Sequence, residues 1–137
     1  MKTITETAYA KINLGLDIIG KRSDGYHEVS MIMQSVGLSD EVVISAGQSN
    51  EAITVTTDMA GLSCGPDNLA YKAAELLAIH AGIKPHIHIA LKKKIFLAAG
   101  LAGGSSDAAA VLRGLNKYWR LNLNADELRR LAARLGS

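Results

Sequence analysis

Residues 98–110, AAGLAGGSSDAAA, are the stretch that decides the fold, because glycines and small residues run directly into a helix-forming segment. Small side chains let a ligand approach the backbone closely, and glycines permit turns that point successive N–H groups into one concavity. Since a helix follows at once, its unpaired N–H groups and positive dipole end face the same place. The pattern predicts a site for an anion with several oxygens.

Two hydroxyls stand at the start of this helix, on Ser105 and Ser106. They can cap the helix, bind phosphate oxygens or reach a magnesium ion. The segment is neither of the two common nucleotide-binding loops, since no Gly-Lys-Ser/Thr follows its glycines and Gly-x-Gly-x-x-Gly is absent. The alternative interpretation is an ordinary glycine-rich turn between a strand and a helix with a serine cap.

Outward from this loop, the second half of the chain alternates between helix and strand. Residues 68–81 have apolar positions at helical spacing, with residues 66–68 as the cap region and Gly82 as a stop. Residues 86–91 alternate in hydrophobicity as a strand does, and the helix after the loop is expected to end near Tyr118. A last helix is predicted to begin at residues 124–127.

The first half of the chain has the period of two that is typical of strands. Residues 12–18 alternate, residues 20–25 have the composition of a loop, and residues 29–36 are extended again. β-branched residues favour a hairpin formed by residues 41–45 and 52–57. Strands followed by helices and a further strand predict an α/β or α+β domain.

Composition describes a globular protein of one domain, residues 1–137, with 48% hydrophobic and 20% charged residues. The net charge of +2 gives little support for nucleic acid as a partner. The single cysteine excludes an internal disulfide and suits a cytoplasmic location. No stretch is long and apolar enough for a membrane span, and no signal peptide is visible. The lysines at residues 92–94 are expected to be solvated.

Three segments in order resemble the motifs of the GHMP kinases, the galactokinase, homoserine kinase, mevalonate kinase and phosphomevalonate kinase relatives. Residues 100–110 resemble the second motif of that family, and residues 10–16, AKINLGL, are similar to the first. Residues 24–28, DGYHE, resemble the marker of the branch that acts on diphosphocytidyl-methylerythritol. A family member with another alcohol acceptor is the alternative, and the DGYHE segment argues against it.

The resemblance implies a fold, a reaction and partners. The fold would be the α+β GHMP-kinase N-terminal domain, similar to domain 2 of ribosomal protein S5, with a mixed sheet packed against helices. The reaction would be ATP-dependent phosphorylation of the 2-hydroxyl of the small-molecule substrate in the non-mevalonate isoprenoid route. ATP and Mg²⁺ are the implied cofactors, with no nucleic acid or membrane partner.

The resemblance also implies roles for individual residues. Lys11 would be the catalytic lysine beside the transferred phosphoryl group, and Asn13 would bond the methylerythritol. Tyr26 and His27 would line the cytidine pocket. Asn68 and Leu69 would lie near the adenine. The residues expected to wrap the ATP phosphates are Phe96, Leu97, Ala98, Ala99, Gly100, Leu101, Ala102, Gly103, Gly104, Ser105 and Ser106.

Some features depart from the family pattern. Tyr9 and Phe96 stand where family members usually carry proline, so the nucleotide geometry near Phe96 can differ. The family continues beyond a segment like residues 135–137 with a catalytic aspartate and a second domain. The chain is therefore expected to be truncated, to bind nucleotide weakly and to have no turnover alone. Asp107 is expected to cap the loop's helix and not to replace that aspartate.

Two other interpretations stay open from the residues alone. His86 and His88 share one face of a strand, but with no third ligand in view they are expected to be ordinary strand residues, and no metal site is predicted. A chain of this fold could also be a binding module for RNA. Aromatic residues are 4% of the chain, which gives that alternative little support.

Overall fold

The computed structural model describes residues 2–9, 39–59, 61–93 and 103–135, and for residues 9 and 103–105 it describes the backbone alone. Predicted features that lie outside the described residues include the strands at 12–18 and 29–36 and the loop at 20–25. The described elements are β1 (Ile4–Tyr9), β2 (Ser39–Ala46), β3 (Ile53–Thr57), α1 (Leu69–Ala81), β4 (Ile87–Lys92), α2 (Gly103–Tyr118) and α3 (Ala125–Arg134).

The strands form a mixed four-stranded sheet in the order β1-β2-β4-β3. β2 pairs antiparallel with β1 and with β4, and Ile44 of β2 lies opposite Ile4 on one side and Ile89 on the other. β3 runs parallel to β4, with Val55 opposite Ile89. A parallel pair needs a crossover connection, and α1 provides it between β3 and β4. The predicted mixed sheet with helices is confirmed.

The predicted hairpin of residues 41–45 and 52–57 is wrong, because β4 lies between β2 and β3. Both segments are strands, as expected from their β-branched residues. Their predicted pairing was wrong, since each of them pairs with β4 and not with the other. The strand β1 was not predicted at all, although it forms one edge of the described sheet.

One face of the sheet carries the core, and the helices cover it. Alternate residues of β2 and β4 are buried there, and α2 packs over β1 and β2 while α1 packs over β3. The buried apolar residues of α2 are mostly small or aliphatic, as the low aromatic content requires. Gly114 marks a close approach of α2 to the sheet, because a Cβ built there would lie 2.5 Å from Cδ1 of Ile44. The helix therefore sits directly on the sheet.

The two ends of α1 and the start of α3 lie where the sequence predicts them. Asn68 caps α1 by accepting a hydrogen bond from the N–H of Ala70, and Gly82 ends that helix in the left-handed region at φ 67°. Asn124 opens α3 with a reciprocal capping box to Glu127. These three predicted ends are confirmed. No helix of the described residues is long and apolar enough to cross a membrane.

Candidate functional site

The first turn of α2 is the described part of the predicted phosphate-binding element. The helix begins at Gly103, two residues before the predicted serine cap, so Ser105 and Ser106 lie inside the first turn and the predicted cap position is wrong. Glycine at the first two positions lets the helix begin without side chains over its end. The N–H groups of Gly103, Gly104 and Ser105 have no acceptor within the helix, because intrahelical bonding begins at the fourth helical residue, as it does at Lys72 of α1. They face the direction from which an anion is attracted.

A buried ion cluster lies directly behind this turn. The ammonium Nζ of Lys93 donates to Oδ2 of Asp107 at 2.5 Å and to Oδ2 of Asp40 at 2.6 Å. The side chains are 1% exposed for Lys93, 0% for Asp40 and 4% for Asp107. Lys93 comes directly after β4, Asp40 lies on β2 and Asp107 lies on α2. The cluster therefore joins three elements at one end of the sheet.

The cluster corrects two sequence predictions. Lys93 was expected to be solvated with its neighbours, but it is buried, whereas Lys92 is 63% exposed and pairs with Glu41 at the surface. Asp107 was expected to cap α2, but it is the fifth residue of that helix and points inward to Lys93. A lysine enters a core only when carboxylates pair with it, since an unpaired buried charge is very costly.

A simple periodicity argument could have found these residues. Lys93 is in phase with the buried Ile89 and Leu91 of β4. On α2, Asp107 is four residues before the buried Val111 and eight before Leu115, which places it on the core-facing stripe. A charged residue that the periodicity places among buried positions requires a partner of opposite charge. Two such residues of opposite charge are therefore expected to pair with each other.

The surroundings shift the protonation of the cluster. Burial is the main cause that raises the pKa of the Asp107 carboxyl to about 7; its hydrogen bond with Asp40 adds to this, and Lys93 opposes it. Burial alone would lower the pKa of the Lys93 ammonium, but the hydrogen bonds to Asp107 and Asp40 outweigh it and the pKa is raised. Oδ1 of Asp107 is buried and has no hydrogen-bond partner among the described residues. The ammonium of Lys93 therefore stays charged near neutral pH, whereas the Asp107 carboxyl is divided between its protonated and ionised forms.

The predicted adenine contact at Asn68 meets a competing use of that side chain. Its Oδ1 accepts from the N–H of Ala70 at 2.7 Å, and its Nδ2 donates to the carbonyl of Ser63 at 2.7 Å. Both ends of the amide are therefore engaged in the α1 cap and the preceding turn. Leu69, the first residue of α1, is half-buried against the core. These bonds leave Asn68 a structural role that the sequence pattern alone also supports.

The two strand histidines bond to neighbouring groups and not to each other. The ring of His88 lies 2.7 Å from Oγ1 of Thr54 through Nδ1 and 3.1 Å from Oγ1 of Thr56 through Nε2. Nε2 of His86 lies 2.8 Å from the carbonyl oxygen of Ser49. Within the described ranges, no group of three or more His, Cys, Asp or Glu residues could hold a metal ion.

Most of the predicted site residues lie outside the described part of the chain. These are Lys11, Asn13, Tyr26, His27, Phe96, Leu97, Ala98, Ala99, Gly100, Leu101 and Ala102. Of the predicted phosphate contacts, the described ones are Gly103, Gly104, Ser105 and Ser106, and all four lie in the first turn of α2. The half-buried Ser106 is the member of this set whose side chain is described.

A sequence model of the GHMP kinases N terminal domain matches residues 68–137, the second half of the chain. The chain belongs to the GHMP kinase family. The matched region contains α1, β4, α2 and α3, and so includes both the first turn of α2 and the buried lysine behind it. The family resemblance of the sequence motifs is confirmed, and with it the α+β fold class.

Curated relatives from within the GHMP kinase family match nearly the whole chain. It is 47% identical over 137 residues to the 4-diphosphocytidyl-2-C-methyl-D-erythritol kinase of Alkaliphilus metalliredigens (strain QYMF). That alignment covers 100% of the chain and 47% of the relative. It is 51% identical over 134 residues to the kinase of the same name from Bacillus pumilus (strain SAFR-032). That alignment covers 98% of the chain and 46% of the relative. The chain spans about half the length of the curated relatives it matches.

A solved structure gives the same result at the level of the fold. The crystal structure of a 4-(cytidine 5'-diphospho)-2C-methyl-D-erythritol kinase matches with a TM-score of 0.57 and 28% identity, covering 98% of this chain and 44% of that one. The chain's mixed sheet and helices are therefore those of a GHMP kinase.

Proposed function

We propose that this chain supplies the ATP-binding part of a kinase that phosphorylates the 2-hydroxyl of 4-diphosphocytidyl-2-C-methyl-D-erythritol in the non-mevalonate isoprenoid route. The observation that carries the proposal is the identity of 47% and 51% over at least 98% of the chain to proteins of that name. The order of the three motifs, residues 10–16, 24–28 and 100–110, supports the same substrate. A cytoplasmic location is part of the same proposal.

The first turn of α2 is the proposed site for the polyphosphate of ATP. A multiply charged anion is attracted by the positive end of this 16-residue helix and by the N–H groups of Gly103 to Ser105, which have no acceptor within the helix. Gly103 and Gly104 leave the backbone open to close approach. The residues just before this turn, 96–102, are proposed to complete the phosphate contacts. Binding through amides needs no lysine in the loop, which fits the absence of a Walker sequence.

Lys11 is the proposed catalytic lysine. Phosphoryl transfer depends chiefly on in-line positioning and on positive charge around the group being transferred. An ammonium beside the γ-phosphoryl group would stabilise charge that develops on its oxygens. Asn13, two residues along an alternating segment, would lie on the same face and bond the methylerythritol part of the acceptor.

Tyr26 and His27 are proposed to recognise the cytidine of the acceptor. An aromatic ring can stack on the cytosine, and an imidazole can hydrogen-bond the polar edge of that base. Mg²⁺ is proposed to arrive with ATP, because this ion is commonly held by substrate phosphates and a few protein oxygens. When bound, it would neutralise charge on the β- and γ-phosphates.

Calorimetric titration of the chain with ATP, ADP and adenosine, each with magnesium chloride, tests the nucleotide site. We expect ATP to bind more tightly than ADP, and adenosine to bind at least about tenfold more weakly than ATP, because the polyphosphate supplies the contacts at α2. Equal affinity for ATP and adenosine, or binding of an RNA oligonucleotide with no binding of ATP, would contradict the proposal.

Titration with the acceptor tests the substrate. We expect 4-diphosphocytidyl-2-C-methyl-D-erythritol to bind and homoserine and mevalonate, acceptors of other family branches, not to bind. Phosphorus NMR of the chain with ATP and the acceptor is expected to show no phosphorylated product. The reason is that none of the residues to which a catalytic or binding role is given above is the family's catalytic aspartate. Product formation would contradict the expected inactivity and would support the substrate assignment.

A further inference from the structure

We propose that the buried cluster of Lys93, Asp40 and Asp107 is a positioning group for nucleotide binding, which holds the first turn of α2 against the ends of β4 and β2. The inference rests on the function proposed above. In this role the cluster touches no ligand, and it acts through the placement of the amides of Gly103 to Ser105. A second role is to balance charge behind an anion site.

Lys93 is held to the sheet from two sides. Its backbone N–H donates to Oδ1 of Asp58, which follows β3, at 2.9 Å. Its ammonium is bonded to Asp40 on β2 at 2.6 Å. The residue directly follows β4, so three neighbouring strands of the sheet fix where this ammonium lies. A buried group held at both ends has little freedom to move.

Asp107 attaches α2 to this fixed ammonium. Its Oδ2 accepts from Lys93 at 2.5 Å, across the chain segment 94–102 that separates the end of β4 from the start of the helix. Asp107 is the fifth residue of α2, two residues beyond Ser105, whose N–H has no acceptor within the helix. A charged hydrogen bond in a dry environment is stronger than the same bond in water. The bond therefore sets the position of the turn that would hold the phosphates.

The cluster also settles an electrostatic conflict. An ionised Asp107 beside the first turn would repel a polyphosphate that approaches the same helix end. The ammonium of Lys93, 2.5 Å away, offsets that charge. Without the lysine, the two buried carboxyl groups behind the proposed anion site would lose a positive charge between them. The lysine therefore both positions the first turn of α2 and offsets negative charge behind that turn.

A second attachment of α2 provides a matched control. The buried Glu6 of β1 bonds Nε of Arg113 at 3.2 Å and Nζ of Lys117 at 2.5 Å. Arg113 lies six residues beyond Asp107, about 9 Å farther along the helix. This contact ties α2 to the sheet just as the cluster does, but it is remote from the first turn. Loss of Glu6 is therefore expected to weaken the fold and not the nucleotide site.

The test compares ATP affinity with thermal stability in variants of the full chain. Titrations with ATP and magnesium chloride are run on the unsubstituted chain, Asp107→Ala and Glu6→Gln at a temperature where circular dichroism shows each to be folded. We expect both substitutions to lower the melting temperature. Only Asp107→Ala should weaken ATP binding, by about fivefold or more, because the turn loses its attachment. Asp107→Asn should restore part of the affinity, since an amide oxygen can still accept from Lys93.

The possible outcomes separate the two proposals. ATP binding by the unsubstituted chain together with equal affinity of folded Asp107→Ala would overturn the positioning role and leave the proposed function standing. No ATP binding by the unsubstituted folded chain would overturn both. Should Asp107→Ala not fold, Asp107→Glu decides, because it keeps the charge and lengthens the side chain. Weaker ATP binding by this variant supports positioning, and unchanged binding contradicts it.

Discussion

Nζ of Lys93 lies 2.5 Å from Oδ2 of Asp107, although the glycine-rich segment separates the two residues in the chain. This bond links the strand before the segment to the helix after it. Both side chains are at least 96% buried, since Lys93 is 1% and Asp107 4% exposed. The predicted phosphate-binding element therefore has a buried cluster of charged side chains beneath its helical end.

Lys93→Met is expected to lower the free energy of unfolding by about 3 kcal/mol or more at pH 8, because it removes a buried cation that bonds two buried carboxyl groups. Urea unfolding followed by circular dichroism measures the change. The neighbouring Lys92→Met is the matched control, since its surface pair with Glu41 should be worth less than about 1 kcal/mol. Equal losses for the two variants would contradict the buried position of Lys93.

The raised pKa of Asp107 predicts a pH-dependent stability. The pKa is about 7 in the folded chain against a reference value of 3.8, so the folded state holds more protons than the unfolded state between these limits. The contribution of Asp107 is therefore greatest below about pH 4, declines as the pH rises toward about 7, and is constant above that.

Asp107→Asn isolates this effect, because the amide does not titrate and all other groups are shared. The stability of the unsubstituted chain relative to Asp107→Asn is expected to fall with rising pH, by up to about 1.4 kcal/mol per pH unit. Urea unfolding at pH values from 4 to 8 measures the difference. A difference that stays constant, or that increases with pH, would show that the Asp107 pKa is not raised.

Glu6 is expected to contribute through its two cationic partners on α2. Glu6→Gln should lower the free energy of unfolding by about 1–2 kcal/mol, because hydrogen bonds to charged groups are stronger than neutral ones. The control is Asp126→Asn, which removes an exposed pair with Arg129 and should cost less than about 0.5 kcal/mol. If Glu6→Gln lowers the free energy of unfolding no more than the control does, the carboxylate of Glu6 does not hold α2 to the sheet.

His27→Ala tests the proposed cytidine pocket. We expect about five- to tenfold weaker binding of cytidine diphosphate, because a hydrogen bond to the base is lost, and no change in ATP affinity. Calorimetry with the two nucleotides measures both. His80→Ala, on the exposed side of α1, is the control and should change neither affinity. A loss of ATP binding together with that of cytidine diphosphate would place His27 elsewhere.

Local features of the fold were predictable from the sequence because their causes are local. Asn68, Gly82 and Asn124 define helix ends through bonds within a few residues, and all three were confirmed. The strands of residues 41–45 and 52–57 were also recognisable, but their pairing was not. Which strands become neighbours depends on the insertion of β4, a contact between segments more than thirty residues apart.

The candidate site shows the same division. The glycines before α2 and the family motifs pointed to this helix end, but the buried lysine behind it was overlooked. Three lysines in a row resemble a solvated surface until the strand phase is extended by one step beyond Leu91 to Lys93. Asp40 and Asp107 come from distant parts of the chain, and only the folded sheet brings them to that ammonium.

The most direct test of the phosphate site is an NMR titration of the nitrogen-15-labelled chain with ATP and magnesium chloride, read at the amides of Gly103, Gly104 and Ser105. We expect these three resonances to shift with ATP and not with adenosine, because the phosphates bind there. Unchanged resonances at the three amides while ATP binds, or equal shifts with adenosine, would contradict that site.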